Sequence, residues 1–219
     1  MNIEQARFNM IEQQIRPWDV LDTNVLSLLA RVRREDFVPA AYKALAFVDV
    51  EVPLGAGPGQ LMLAPKVEAR LLQEAQLQRH ERVLEIGTGS GFMAALLAHR
   101  ALSVISLERD AALTRLAVAN LRRAGVLNAS VREKDGANGL PGDGPFDVIM
   151  LSGSVAELPQ QLLDQLKPGG RLLAVVGQEP VMRAVRVTRI SATALQAQDL
   201  FDTVAPRLTG FDEPTRFRF

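Results

Sequence analysis

Arg82-Val83-Leu84-Glu85-Ile86-Gly87-Thr88-Gly89-Ser90-Gly91 runs directly into Phe92-Met93-Ala94-Ala95-Leu96-Leu97-Ala98. The order is a short apolar strand, a glycine-rich turn and a helix, by which an open α/β sheet presents a small ligand at the carboxyl end of a strand. Gly87, Gly89 and Gly91 are spaced G-x-G-x-G. The dinucleotide fingerprint is G-x-G-x-x-G or A, and its third small position is the bulky Phe92 here.

A second apolar run, residues 102–107, ends in Glu108, about 20 residues past the glycine turn, where such folds place the acid that holds ribose hydroxyls. Glu85, at the tip of the first strand, sets another carboxylate beside the loop. That charge repels a pyrophosphate and tolerates a cationic ligand without phosphate. S-adenosylmethionine (AdoMet), with its sulfonium, ammonium and ribose, fits both acids. The bland alternative is a plain strand-to-helix turn whose glycines only permit tight packing.

Upstream, apolar residues at Ile3, Phe8, Met10, Ile11 and Ile15 predict an amphipathic helix over 2–16, ended before Pro17. A second helix is expected after Asp22-Thr23-Asn24. Arg33-Arg34-Glu35-Asp36 reads as a solvated charged turn. Residues 49–65, rich in glycine and proline and including Pro58, read as a lid or binding loop, and 66–77 as a helix. Downstream, strands near 82–86, 102–107, 128–133, 146–151 and 171–177 alternate with helices near 91–100, 110–124 and 156–166, which argues for a parallel sheet covered on both faces. Lys167-Pro168-Gly169-Gly170 reads as a helix stop. Residues 182–190 nearly alternate apolar with basic, as a strand with one wet face does, and 195–204 can pair with it antiparallel. The expected architecture is a mostly parallel seven-stranded sheet. Residues 1–78 form an N-terminal helical and lid extension, and 79–219 the ligand-binding core.

Composition narrows the chemistry. With 25 basic and 25 acidic residues the formal charge is zero, so no basic face argues for nucleic acid or an anionic membrane. There is no signal-like start and no apolar stretch of membrane-spanning length, and a cytoplasmic protein is expected. The absence of cysteine removes disulfides, thiolate metal sites and a thiol nucleophile together, and no metal is expected. Both histidines, His80 before the first strand and His99 at the end of the first helix, fall at the edge opposite the ligand. A site without such bases leaves methyl transfer to a carboxylate open, since that acceptor is already ionised near neutral pH, whereas an amine or phenol more often needs a base. The enzyme then mainly aligns the carboxylate with the sulfonium.

Asp135-Gly136, after the third strand, is placed either to accept from an adenine amino group or to form a simple Asp-Gly turn. Asp147 sits at the far end of its strand and reads as structural. Ser152-Gly153-Ser154 emerges at the active edge, where small residues leave room for a ligand.

These residues carry a resemblance. The chain resembles the protein-L-isoaspartate O-methyltransferases through Met10-Ile11-Glu12-Gln13-Gln14-Ile15, Arg34-Glu35-Asp36-Phe37-Val38-Pro39, the 83–91 loop, Asp135-Gly136, Pro145-Phe146-Asp147 and Gln165-Leu166-Lys167-Pro168-Gly169-Gly170. The resemblance implies a Rossmann-like AdoMet-dependent methyltransferase fold and transfer of a methyl group to the abnormal carboxylate of isoaspartyl residues in aged proteins. It implies cofactor contacts at Glu85, Gly87, Thr88, Gly89, Ser90, Gly91, Glu108 with the adjoining Arg109, Asp135 and Gly136, with Ser152 beside them. Family members typically show Gln-Thr-Ile-Ser, one more residue, then Pro. The aligned run here is Gln60-Leu61-Met62-Leu63-Ala64-Pro65, so Leu61 stands for the threonine and Leu63 for the serine implicated in acceptor recognition. Two hydroxyls that would partner a desolvated carboxylate have become apolar. Gln60, Leu63 and Lys66 remain the acceptor-side candidates. The family's Thr-Ala-Ala is likewise altered to Ser152-Gly153-Ser154. Three readings follow: a repair carboxyl methyltransferase acting on a protein or peptide, a methyltransferase of a less polar small acceptor, or a non-catalytic AdoMet-binding homologue.

Overall fold

The computed structural model describes residues 2–55, 57 and 59–213. Pro58 of the expected loop, and residues 214–219 of the expected core, lie outside that set. Asn2 accepts from the Gln5 amide and caps α1 (Ile3–Met10). The helix expected over 2–16 is α-helical only to Met10. It widens into a π turn at Ile11–Ile15 and tightens into a 3-10 turn at Arg16–Trp18, which accommodates Pro17. Asp22 caps α2 (Thr23–Arg31), whose Val25, Leu26, Leu28 and Leu29 face the core.

The charged run 33–36 is not a uniformly solvated turn. Arg33 and Asp36 do pair near the surface at 2.7 Å, but Arg34 and Glu35 are buried. Arg34 meets Glu68 and the Leu63 carbonyl, and Glu35 is paired with Arg7. All these partners lie about 28 or more residues away in sequence, so the local charge pattern gave no sign of them.

The stretch 49–65 also holds more order than a loop. β1 (Val52–Pro53) and β2 (Leu61–Met62) pair antiparallel, with the Leu54 amide donating to the Gln60 carbonyl at 2.8 Å. After this hairpin comes α3 (Pro65–Ala75), with proline at the helix start where its missing N–H costs nothing.

The core sheet follows as β3 (Arg82–Ile86), α4 (Phe92–Ala98), β4 (Ser103–Glu108), α5 (Ala111–Arg123), β5 (Ala129–Glu133), β6 (Phe146–Val155), α6 (Gln160–Leu163), β7 (Leu166–Gln178), β8 (Val181–Arg189) and β9 (Leu195–Asp202). The order across the sheet is β5-β4-β3-β6-β7-β8-β9, parallel through β7 and antiparallel for the last two strands. The seven-stranded α/β sheet matches the expectation. Its strand order reverses between β3 and β6, the switch point where open sheets leave a crevice for ligands.

Two irregularities in β6–β7 pairing differ from the sequence reading. The helix expected over 156–166 shrinks to Gln160–Leu163. Lys167-Pro168-Gly169-Gly170 is instead a bulge in β7, between the pairs Phe146↔Leu166 and Val148↔Arg171. Gly170 packs so closely there that a Cβ would stand 3.0 Å from the carbonyls of Phe146 and Asp147. The second shift falls between Met150 and Ser154, so Leu151, Ser152 and Gly153 bulge out of register at the carboxyl end of β6. Met10, Ile15, Leu28, Phe37 and Leu71 from the N-terminal elements share one hydrophobic cluster with Leu96 of α4 and with Val83 and Met150 of the sheet. No helix among the described residues is long and apolar enough to cross a membrane.

Candidate active site

A cavity of about 330 Å³ opens at the carboxyl ends of β3, β4 and β6. Its floor is Ile86, Gly87 and Gly89. Leu107, Glu108, Arg109 and Asp110 form one side, Ser152 another, and Lys134 and Gly136 border it beyond β5. The hairpin contributes Leu54, Gln60 and Leu61, and a strap at 206–211 contributes Pro206, Leu208 and Phe211 among others.

The glycine turn is shaped for close approach. Gly87 has φ +90°, and a Cβ there would meet the Leu208 side chain at 2.7 Å; Gly89 has φ +53° and faces Leu54 at 3.0 Å. Side chains are disfavoured at such angles, so the backbone itself walls the cavity. Thr88 and Ser90 point away and hold the loop from behind. The Ser90 carbonyl accepts from Asn120 of α5 at 2.8 Å. Gly91 packs against Ala117 rather than the cavity.

Glu108 spans two elements. Its Oε2 accepts from the Gly89 amide at 2.9 Å and its Oε1 from the Asp110 amide at 3.0 Å, which fixes the carboxylate at the cavity wall. A carboxylate has about four lone-pair sites, so acceptor capacity remains for hydroxyls.

Glu85 does not line the cavity. It is fully buried beneath it, with Oε1 accepting from Ser152 Oγ at 2.8 Å and Oε2 from Ser106 Oγ at 2.6 Å. The Thr88 and Ser106 hydroxyls meet at 2.5 Å, which extends the network from Glu85 to the glycine turn. Burial pushes the Glu85 carboxyl up to about 7, against the pull of the two serine hydroxyls, with the negative Glu108 adding to the rise.

A stability prediction follows from this rise. Between about pH 4.5 and 7 the folded chain keeps a proton on Glu85 that the unfolded chain has released, so this group's contribution to stability is full below about pH 4.5 and is lost as pH climbs through about 7. Glu68, raised by its burial to about 8, extends the decline. Urea unfolding at a series of pH values is expected to show a shallower loss from pH 5 to 7 in Glu85→Gln than in the wild type. Equal slopes would refute it.

Asp135 stands beside the cavity rather than in its wall. Its Oδ1 accepts from the Ala137 amide at 3.0 Å, Arg109 lies 3.8 Å from its Oδ2, and Gly210 of the strap packs over it. Among the acceptor-side candidates, Gln60 reaches the cavity and donates to Asp110 at 3.1 Å, tying the hairpin to the start of α5. Leu63 faces the core, 4% exposed. Lys66 is engaged elsewhere, 2.9 Å from Asp49 and 3.9 Å above the Trp18 ring. Neither lines the cavity, and neither does His80 or His99. Asp147 accepts from the Arg82 amide and Lys167, a structural role.

Sequence reasoning missed the strap. It docks on the bulge of β6: the Ser154 amide donates to the Pro206 carbonyl at 2.7 Å, the Leu208 amide to the Ser154 carbonyl at 2.9 Å, and Ser154 Oγ to the Ala205 carbonyl at 2.8 Å. A Cβ at Gly153 would meet Leu208 at 2.8 Å. The change to Ser152-Gly153-Ser154 therefore serves the strap, and the bare Gly153 was its one sequence signal.

Known proteins are similar to this chain in sequence and fold. The family model described as protein-L-isoaspartate(D-aspartate) O-methyltransferase matches residues 5–205. A protein-L-isoaspartate O-methyltransferase of Koribacter versatilis is 40% identical over 196 residues, covering 90% of this chain and 87% of its own. One from Methanoculleus marisnigri is 39% identical over 185 residues, covering 84% and 83%. In shape, the chain is similar to a Plasmodium falciparum structure described as a protein-L-isoaspartate O-methyltransferase with S-adenosyl-L-homocysteine (TM-score 0.75, 21% identity, 94% of this chain and 99% of that one). The strand order, the glycine turn, the paired acids and these matches lead to one assignment: the chain belongs to the protein-L-isoaspartate(D-aspartate) O-methyltransferase family, whose members are AdoMet-dependent carboxyl methyltransferases.

Proposed function

We propose that the protein methylates the carboxylate of an isoaspartyl residue in a protein or peptide. One observation carries the reading: the cavity joins the glycine turn to the hairpin at the position of the family's acceptor motif, and no histidine lies in its wall. An ionised carboxylate needs no base, and the protein's work is then to bind, orient and exclude water.

The residues fit AdoMet. The bare backbone at Gly87, Gly89 and Gly136 is a cradle that side chains would fill; at Gly136 a Cβ would stand 2.4 Å from the Ile86 side chain. Glu108 would hold the ribose hydroxyls, with Arg109, Asp135, Gly136 and Ser152 beside it. Glu85, Thr88, Ser90 and Gly91 would act from behind, fixing the turn. AdoMet supplies a methyl group on a sulfonium. Lys134 and Arg207 also border the cavity, and the strap and hairpin shield it from water.

The deciding experiment is methyl transfer from radiolabelled AdoMet to an isoaspartyl peptide, with the aspartyl peptide as control. Labelling of the isoaspartyl peptide alone is expected. AdoMet binding without labelling would instead favour a second reading, a small and less polar acceptor, which the apolar Leu54, Leu61, Leu208 and Phe211 of the wall support. For the cofactor, Glu108→Ala is expected to weaken AdoMet binding by about 1–3 kcal/mol. An unchanged dissociation constant by calorimetry would remove Glu108 from the site.

A further inference from the structure

Methyl transfer requires the acceptor hairpin to be held at a fixed place relative to the glycine turn, and Arg34 touches the scaffolding of both. It opens the 3-10 turn Arg34–Asp36 and is 1% exposed. Its Nη2 donates to the Leu63 carbonyl at 2.6 Å, one residue past β2. Its Nε faces Glu68 Oε2 in α3 at 3.5 Å. Its guanidinium carbon lies 5.8 Å from the centre of the Phe92 ring, and Phe92 is the first residue of α4, directly after Gly91. Phe37, from the same segment as Arg34, packs edge-on against Phe92 at 5.3 Å.

As a source of stability the arrangement is poor. A guanidinium has five donors, yet Arg34 Nε and Nη1, and Glu68 Oε2, have no hydrogen-bond partner among the described residues. Burial lowers the Arg34 value and raises that of Glu68, each against the attraction of the other. Apolar side chains of similar volume often replace such a buried pair with no loss of stability. What they lack is a directed bond to the Leu63 carbonyl.

We propose that Arg34 is a positioning residue for methyl transfer, tying the acceptor hairpin through the Leu63 carbonyl to the helix that begins at the cofactor turn through Phe92. Arg34 does not line the cavity and acts through β2 and α4. The inference rests on the reading that the hairpin bears the acceptor side of the site.

The test is Arg34→Met/Glu68→Met, which removes both charges so that neither is stranded. Hydrogen exchange by mass spectrometry is expected to show the amides of 52–54 and 60–63 exchanging about tenfold faster or more, the loss of one charge-assisted bond, while β3 and β6 keep their protection. Affinity for S-adenosylhomocysteine is expected to stay within about twofold. With the isoaspartyl peptide, kcat/KM for the acceptor is expected to fall about tenfold. Arg34→Lys keeps the charge without the planar fork, so it is not expected to restore either readout. Hairpin exchange that is unchanged, that accelerates equally across the sheet, or that Arg34→Lys restores to the wild-type rate would each overturn the proposal. Should the double variant not fold, Arg34→Lys alone carries the exchange comparison. A wild type that leaves the isoaspartyl peptide unlabelled would sink the substrate reading, while the exchange data still decide the role of Arg34.

Discussion

A Gly87→Val chain is expected to bind AdoMet about a hundredfold more weakly than the wild type, or worse. Two costs add. At φ +90° a β-branched residue is strained by about 1–3 kcal/mol. Its Cβ would also stand 2.7 Å from the Leu208 side chain and 3.4 Å from the Ser152 carbonyl, so either the strap moves or the new methyl groups occupy the cavity. Calorimetry with AdoMet measures the loss, and circular dichroism checks that the sheet persists. Gly125→Ala is the control: φ there is +69°, with nothing within 4 Å of a Cβ, and it borders no cavity wall. Its strain is expected to cost stability and leave the dissociation constant alone. A Gly87→Val constant within about tenfold of the wild type would show that the turn does not cradle the cofactor.

Restoring the family's serine at position 63 is expected to destabilise the fold by about 3 kcal/mol, and not to restore an acceptor contact. Leu63 is buried among core residues, so Leu63→Ser leaves a cavity and buries a hydroxyl. Urea unfolding measures the cost. Leu61→Thr differs in kind, because Leu61 is half-buried and borders the cavity. It is the change expected to raise isoaspartyl turnover relative to the wild type. Serine at 63 with undiminished stability, or higher methylation from Leu63→Ser than from Leu61→Thr, would contradict this assignment.

These outcomes depend on features that the sequence displayed unevenly. The strand, turn and helix around Gly87–Gly91 were legible because their signals are local: apolar spacing, glycine, then a helix-forming run. Glu108 was legible by its distance from that turn. Glu85 was placed correctly in the chain, but only the fold shows it beneath the cavity, since that position depends on Ser106 and Ser152 reaching it from neighbouring strands. Arg34 was misread because four adjacent charges resemble a wet turn. Its burial is set by Leu63, Glu68 and Phe92, which the chain brings in from afar. Lys167–Gly170 carried turn residues that suit a helix stop and a strand bulge equally well, so composition alone could not choose between them. The strap was invisible for the same reason as Arg34: its partners are backbone groups of β6, about 50 residues earlier.

The strap has a consequence for how the protein comes into being. The cavity takes its walls from Leu54 through Phe211, so a nascent chain that has already folded β3, β4 and the glycine turn still lacks one side of the site. Domains emerge from the ribosome N-terminal part first, and cofactor capture therefore waits for the last wall to be made. A ligand that binds only the finished structure stabilises it by mass action. Cellular AdoMet would thus act on this chain late, as a lock on completed molecules, and a shortage of it would leave full-length protein more exposed to proteolysis without slowing its synthesis.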